Sequence, residues 1–431
     1  MPFFNTKIVH LKRLTMKTIF WRCILKISFF IESQVFITSQ KSNSRIFNAT
    51  FIQLFVIQIL SMVTFYSLFV IIGPYTVATY HVSNAMAGLV TGMTIIGTMI
   101  ARFSAGILTT KFSARQLTII SMAILVPVLL AYQLQGGLIY LLVVRFIQGL
   151  SVGITGTVTN TAVINVIPTE RRAEGIAYFS LATILGTAFG PFLALLITQH
   201  ASYSTLFWLE FLTGLIALIA SLFVKSDKVY IETKPVAKQA NQRFDIRTLM
   251  EPRVLPISLT LGFVTIGYAA LQADLDFFAS QLHLVTFASY FFLVYAFVIL
   301  LSRPLVGRLM DRKNENYVIY PSLVILAIGL LLLATMVNGW MMLLAAIFIG
   351  VGFGNFQSAV QSTTSQMIPA DRLTQATATY FIAYEASLGF GPSIIGLFEP
   401  YLGYRHLFMV MVAITVIGLV VYHLVHGRRV K

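Results

Sequence analysis

The stretch "GTAFGPFLA", from Gly186 to Ala194, lies in the middle of a long apolar run. In the interior of a helix in water its proline would cost about 3 kcal/mol. A second stretch, "LGFGPSIIG" from Leu388 to Gly396, carries the same pattern much later in the chain. In lipid no water satisfies loose backbone groups, so a proline persists only where neighbouring helices or side chains help. Gly186 and Gly190 stand four residues apart and give a small-residue face that lets another helix approach closely. These segments are therefore expected to span a membrane, pack tightly and bend. Gly186, Gly190, Pro191, Gly391 and Pro392 are the candidate hinge or interface positions.

Composition agrees with a lipid environment. The chain has 431 residues, 57% hydrophobic and 10% charged, where a soluble domain carries about 25% charged residues. Apolar residues come in runs of about 20, the length that crosses a hydrocarbon core of roughly 30 Å. Twelve segments are expected, at 47–73, 84–108, 116–134, 138–167, 173–199, 204–224, 254–281, 286–310, 316–337, 340–368, 373–398 and 405–425. The net charge of +15 is read as the mark of a cytoplasmic face, not as a nucleic-acid surface. Of the 30 Lys and Arg residues, 26 fall in the tails or in loops on the tails' side of the membrane. Both termini are thus expected in the cytoplasm, with the protein in the plasma membrane.

Cys23 is the single cysteine, which excludes an intrachain disulfide or a cysteine metal cluster. The seven histidines have no ligand spacing, so no metal or cofactor is expected. No phosphate loop or nucleophile–base arrangement is visible, and the chain is not read as an enzyme.

Residues 225–253 are the longest interior polar stretch and divide the segments six and six, bounding bundles at 47–224 and 254–425. They read as a solvated cytoplasmic linker. Residues 1–46 are a basic extension with eight Lys or Arg and one Glu, expected to be an interfacial helix or to result from a start assigned too far upstream. Residues 426–431 form a cytoplasmic tail.

Sliding the chain against itself by 201 residues superposes its punctuation. Arg102 falls on Arg303, Gly106 on Gly307, Lys111 on Arg312, Gly149 on Gly350, Gly153 on Gly354, and Gly190-Pro191 on Gly391-Pro392. The two halves are therefore parallel repeats related by an axis along the membrane normal.

At these residues the chain resembles the major facilitator superfamily, and most nearly its twelve-helix drug/proton antiporters and efflux permeases. "GRLMDRK" (Gly307 to Lys313) is similar to that family's loop motif, and "GILTTKFSAR" (Gly106 to Arg115) is its first-half copy. "RFIQGLSVG" (Arg145 to Gly153) resembles the fourth-helix motif, and "GTAFGPFLA" the fifth-helix motif that accompanies antiport. The resemblance implies an all-α polytopic protein with twelve transmembrane helices in two six-helix bundles. It implies that helix five meets helix eight, and helix two helix eleven, across the seam. The glycines and prolines would then serve a pivot between rocking halves, although static packing explains each glycine taken singly.

Charges inside the membrane need reasons, since insertion scales put each at about 2.5–3.5 kcal/mol. Glu385 lies close to mid-depth and is the candidate proton carrier, with a satisfied structural glutamate as the competing reading. The resemblance gives Arg145 a proton-linked role, against that of a fixed donor. Asp311, followed by Arg312, is expected to face the N-terminus of helix five as a latch, supported by Gly307 and by Gly106, Lys111 and Arg115 of the first copy. Thr110 replaces the acid usual in that copy. Asp274 and Asp276 read as an exposed helix end, Glu210 as facing lipid, and Arg102 and Arg303 as structural. Cavity-lining candidates on helices one, four, seven and ten are Tyr66, Asn160, Tyr268, Gln272, Asn355, Gln357 and Gln361.

The function expected is secondary transport, most nearly proton-coupled efflux of small organic molecules by alternating access. The alternative is a proton symporter importing sugars, organic acids or nucleosides. Its partners would be a small-molecule substrate, protons and the lipid bilayer, with no nucleic acid, and a monomer is expected.

Overall fold

The structure, a computed structural model, describes residues 46–109, 111–168, 172–224, 250–368 and 372–429. The first six helices are α1 (Ala49–Tyr80), α2 (Asn84–Leu108), α3 (Ala114–Ala131), α4 (Leu138–Val166), α5 (Arg172–His200) and α6 (Tyr203–Leu222). The second six begin with α7 (Leu255–Gln281), α8 (Val285–Arg312) and α9 (Asn316–Ala334). They continue with α10, which joins Gly339–Ile349 to Asn355–Gln366 through a π-helical turn at Gly350–Gly354, then α11 (Leu373–Gly396) and α12 (Glu399–Val425). The near side below is the side on which α1 begins and α12 ends; the far side is its opposite.

Among the described residues, eleven of these helices are long and apolar enough to cross a membrane. The other is α11, long enough at 24 residues but diluted by its polar start, "LTQATATY", and by Glu385. Helix starts are set by local chemistry. The Asn48 side chain accepts from Phe51 N, Ser113 and Gln116 form a reciprocal capping box, and Asn338 accepts from Met341 N.

The predicted segments and the helices agree to within a few residues, with three informative differences. α1 was expected to stop at Gly73 but runs through Pro74 to Tyr80 and ends at His81, in the left-handed region at φ 50. Buried neighbours hold the turn around Pro74, so the proline does not terminate it. The π turn at Gly350–Gly354 gives no apolar-periodicity signal. α12 starts early, at Glu399, but its φ of 67 at Gly403 breaks it, and the regular helix begins where the sequence suggested.

In the first half α1 packs on α5, and α4 packs on α2 and α3. In the second, α7 packs on α11 and α12, and α9 on α10 and α12. The halves meet along α2–α11 and α5–α8, with α1 against α7 between. The described residues from Asn48 onward form one compact unit.

The fourth-helix motif holds the first half together. Arg145, Gly149 and Gly153 recur every four residues and share one face. All three lie on α2: Arg145 bonds the carbonyls of Val90 and Thr91, Gly149 meets Thr94 and Gly97, and Gly153 meets Thr98 and Ala101.

The small face of α5 does not lie on the seam. A Cβ at Gly186 would strike Met62, and one at Gly190 would lie 2.8 Å from Val63 O and 2.9 Å from Ser67 N, all in α1. Gly391 likewise faces α7, 2.9 Å from Ala269 Cβ. These candidates fasten helices within each half, because a four-residue spacing selects a helix face without naming its partner. The tight seam includes the candidate Pro392. Gly88 abuts the backbone of Pro392 and Ser393, and Gly92 abuts that of Gly389.

Two further expectations are corrected. Residues 225–249 of the linker lie outside the described residues, but its last turn is not solvated. Glu251 is buried, pairs with Arg372 at 3.0 Å, and its N–H donates to Thr379 Oγ1. Glu210 does not face lipid. It is buried against α1 and accepts a hydrogen bond from Ser67 Oγ.

Candidate functional site

The site is built where α2 and α11 cross. The Arg102 Nε of α2 meets the Glu385 Oε1 of α11 at 2.7 Å, and the guanidinium lies 4.8 Å from the ring centre of Phe381. Glu385 is almost wholly buried, whereas Arg102 keeps 43% of its side chain exposed. The second oxygen, Oε2, is buried without a hydrogen-bond partner. This ion pair joins the two halves. Sequence reading singled out Glu385 but missed its partner, taking Arg102 as structural.

Arg145 is not that partner. It is fully buried, with Nε on Val90 O at 3.2 Å, Nη2 on Thr91 O at 3.0 Å and Nη1 on Gln148 Oε1 at 2.9 Å. The Tyr132 hydroxyl donates to the same Gln148 oxygen at 2.6 Å. Five donors in a fixed fork suit this arrangement, a clamp between α4, α2 and α3.

Around the pair lies a linked group of tyrosines. The Tyr268 hydroxyl donates to Tyr295 at 2.7 Å and accepts from Gln272 Nε2 at 3.0 Å, and its ring stacks on Phe353 at 3.6 Å. The Tyr380 hydroxyl donates to Gln357 O at 3.3 Å, and its ring stacks on Tyr384 at 6.1 Å. Tyr66 of α1 lies within electrostatic reach of Arg102, Glu385 and Tyr384. Arg303 of α8 lies within reach of Tyr295 and Tyr380. Its Nε is buried with no hydrogen-bond partner.

The cavity candidates thus separate. Tyr66, Tyr268, Gln272 and Gln357 gather in or beside this cluster. Asn355 is buried and accepts from Ser302 Oγ of α8 at 3.2 Å. Asn160 is exposed, with Nδ2 on its own helix at Gly156 O. Gln361 is exposed near the end of α10.

Besides the Arg102–Glu385 pair, the described polar links between the halves lie towards the far side. Asn84 Nδ2 donates to Glu399 Oε2 at 2.8 Å and to Tyr404 at 3.1 Å, Ser393 Oγ donates to Ala85 O at 3.0 Å, and Gln199 Nε2 donates to Ser289 Oγ at 2.8 Å. Asp274 belongs to this region and is buried, with Oδ2 unpartnered, rather than standing on an exposed helix end. The start of α12 covers it, through Tyr404 on Phe278. Asp276 is half-buried there.

The latch candidates lie towards the near side. The side chains of Gly106, Asp311 and Arg312, and residue Thr110, lie outside the described residues. Among the described residues, a Cβ at Gly307 would meet nothing within 4 Å. Lys111 is exposed, and Arg115 Nη2 donates to Leu222 O at 3.1 Å, tying α3 to α6 within the first half.

Solved structures share this arrangement at low identity. A bacterial homologue of the human lysosomal transporter Spinster, in an inward-facing and unoccupied conformation, aligns with a TM-score of 0.73 at 14% identity, over 87% of this chain and 96% of that one. The nucleoside transporter NupG aligns with a TM-score of 0.67 at 17% identity, over 88% and 99%. In sequence, the uncharacterised MFS-type transporter YhcA of Bacillus subtilis (strain 168) is 25% identical over 227 residues, 52% of this chain and 40% of the relative. The MFS-type transporter pydD of Acremonium sp is 36% identical over 87 residues, 20% of this chain and 15% of the relative. The matches thus span less than half the length of these relatives. Residues 54–392 match the Major Facilitator Superfamily as a whole. With twelve helices in repeated halves and most of its length matched, the chain belongs to the Major Facilitator Superfamily, a family of secondary transporters.

Proposed function

We propose that this protein is a proton-coupled transporter of small organic molecules, working by alternating access in the cell membrane with both ends in the cytoplasm. The observation that carries the reading is the Arg102–Glu385 pair across the α2–α11 seam. Glu385 Oε2 has no partner, so a proton can add there without breaking another bond. Protonation leaves a buried neutral acid and cancels the charge attraction joining the halves. The charged and titratable groups within reach of Glu385 are Arg102 of α2, Tyr66 of α1, and Tyr380 and Tyr384 of its own helix. The far-side links would belong to a conformation closed there and open to the cytoplasm.

Export by proton exchange is the reading attached to the α5 motif. Its glycines face α1, so they give export no physical support at the seam. Cotransport, the second reading, is favoured by charge balance. Arg102, Arg303 and Glu385 all lie within electrostatic reach of Tyr380, so protonating Glu385 leaves the surroundings of that tyrosine net positive.

Proteoliposomes would separate these readings, with proton movement followed while gradients of organic acids, nucleosides and lipophilic cations are imposed. Glu385→Gln is expected to abolish substrate-driven proton movement but to keep substrate counterflow. A Glu385→Gln protein that moves protons as the wild type does would sink the coupling assignment. The direction of proton flow relative to substrate distinguishes exchange from cotransport.

A further inference from the structure

The repeat predicts a second ion pair that the chain does not make. The offset that carries Arg102 onto Arg303 also runs between α5 and α11, where Gly190-Pro191 falls on Gly391-Pro392. Under it the α2–α11 pair Arg102–Glu385 maps onto Arg303 of α8 and the residue 201 positions before Glu385 in α5. That residue is Ile184. α5 and α8 do pack together, but α5 brings a buried isoleucine where α11 brings a carboxylate. Arg303 is consequently a cation inside the helix bundle with no hydrogen-bond or ion-pair partner among the described residues, and its Nε is buried.

A guanidinium inside a membrane protein costs several kcal/mol unless something pairs with it. The groups nearest to Arg303 are hydroxyls, those of Tyr295 and Tyr380. Tyr66, Phe381 and Tyr384 are half-buried beside them.

We infer that the substrate is an organic anion with a planar apolar body, whose carboxylate or phosphonate pairs with Arg303 in the place the repeat assigns to a glutamate. The inference rests on the coupling reading above and deepens it. The Tyr295 hydroxyl, which accepts from Tyr268, donates its own proton to a remaining anion oxygen, and the rings cover the apolar body. Glu385 repels such a ligand while it is ionised. Its protonation removes one negative charge and frees Arg102, so proton and anion load together.

The test uses the purified full-length protein, with binding followed by thermal stabilisation. The probes are benzoate, indole-3-acetate and phenylphosphonate, against neutral benzamide and cationic benzylammonium. The anions are expected to stabilise the protein, and the amide and the ammonium are not. Arg303→Gln should weaken anion binding about tenfold or more, the loss of one charge-assisted contact. Arg303→Lys should recover part of it as a point charge. Stabilisation by benzamide or benzylammonium equal to that by the anions would overturn the proposal without any variant having to fold. So would an absence of stabilisation by all three anions, or anion binding unchanged in Arg303→Gln.

Lowering the pH from about 8 to about 6 keeps a free carboxylic acid ionised. It should tighten anion binding in the wild type and not in Glu385→Gln. Anion binding that needs Arg303 but ignores pH would remove the coupling reading and leave the anion site standing. Proton movement that needs Glu385, driven by a neutral or cationic substrate, would do the reverse.

Discussion

Gly88 offers the sharpest test of how the halves are held. A Cβ built there lies 2.6 Å from both Pro392 C and Ser393 N. Ordinary contact begins at 3.4 Å, so Gly88→Ala must separate α2 from α11 by about 0.8 Å. Nothing at the site can yield, because the obstruction is backbone on a helix rather than the end of a side chain. Forcing an extra methyl into such a contact costs about 1–3 kcal/mol. That cost falls only on the conformation in which the far side is closed. The population of that conformation should therefore drop about 5- to 150-fold relative to its far-side-open counterpart.

Spin labels at Met86 and Leu397, which flank the contact on the two helices, would report the separation in proteoliposomes. The expected result is a distance distribution shifted towards the open form in Gly88→Ala. Gly267→Ala is the control, since a Cβ there lies at an ordinary 3.5 Å from Met411 within the second half. An unchanged distribution in Gly88→Ala would show that the α2–α11 contact is not what closes the far side. A shift of equal size in the control would mean that the labels report general loosening.

The other predictions concern what holds the first half together. Arg145→Met should lower the thermal midpoint in detergent, by about 1–3 kcal/mol of stability for the acceptors it leaves buried, and Arg145→Lys should not restore it, because one ammonium cannot serve three acceptors in a fork. Equal midpoints for the wild type and Arg145→Met would refute the clamp. Ser67→Ala should destabilise more than the double variant Ser67→Ala with Glu210→Leu, because the single change leaves both Glu210 oxygens buried and unbonded. The reverse order in equilibrium unfolding would show that Glu210 draws its support from another group.

The helices were legible because a bilayer imposes a length and an apolar composition on each span, and lysines and arginines separate the loops. The repeat was legible because Gly, Pro and Arg mark positions where the backbone or a charge has few substitutes. Pairings were not. Arg102 and Glu385 stand 283 residues apart, and no local signal joins them. Glu210 sits near the far end of α6, where depth alone suggested the lipid interface, yet Ser67 of α1 decides which way it faces. Gly186 announced a close neighbour without revealing that it is Met62 in the same half. One signal was present and unread. At the offset of 201, Ile184 falls opposite Glu385, which already showed that the two seams differ in charge.

That difference extends along the seams. The positions equivalent to Gly88, Gly92 and Gly389 are Ser289, Leu293 and Ala188. The α2–α11 seam is thus backbone against backbone, while α5–α8 is bridged by side chains, through Gln199 on Ser289 and Phe192 on Tyr290 at 5.7 Å. Side chains can change rotamer and follow a moving partner. A glycine backbone cannot, so the α2–α11 seam is either formed or broken. An ion pair placed on the compliant seam could lose its charge and let side chains absorb the change locally. On the rigid seam, neutralising Glu385 acts on a contact with no slack, and the loss is passed to the relative placement of the halves. Under the proposed coupling, the carboxylate stands on the seam where a proton would have most leverage, and the unpaired arginine on the seam that would reshape itself around the proposed ligand.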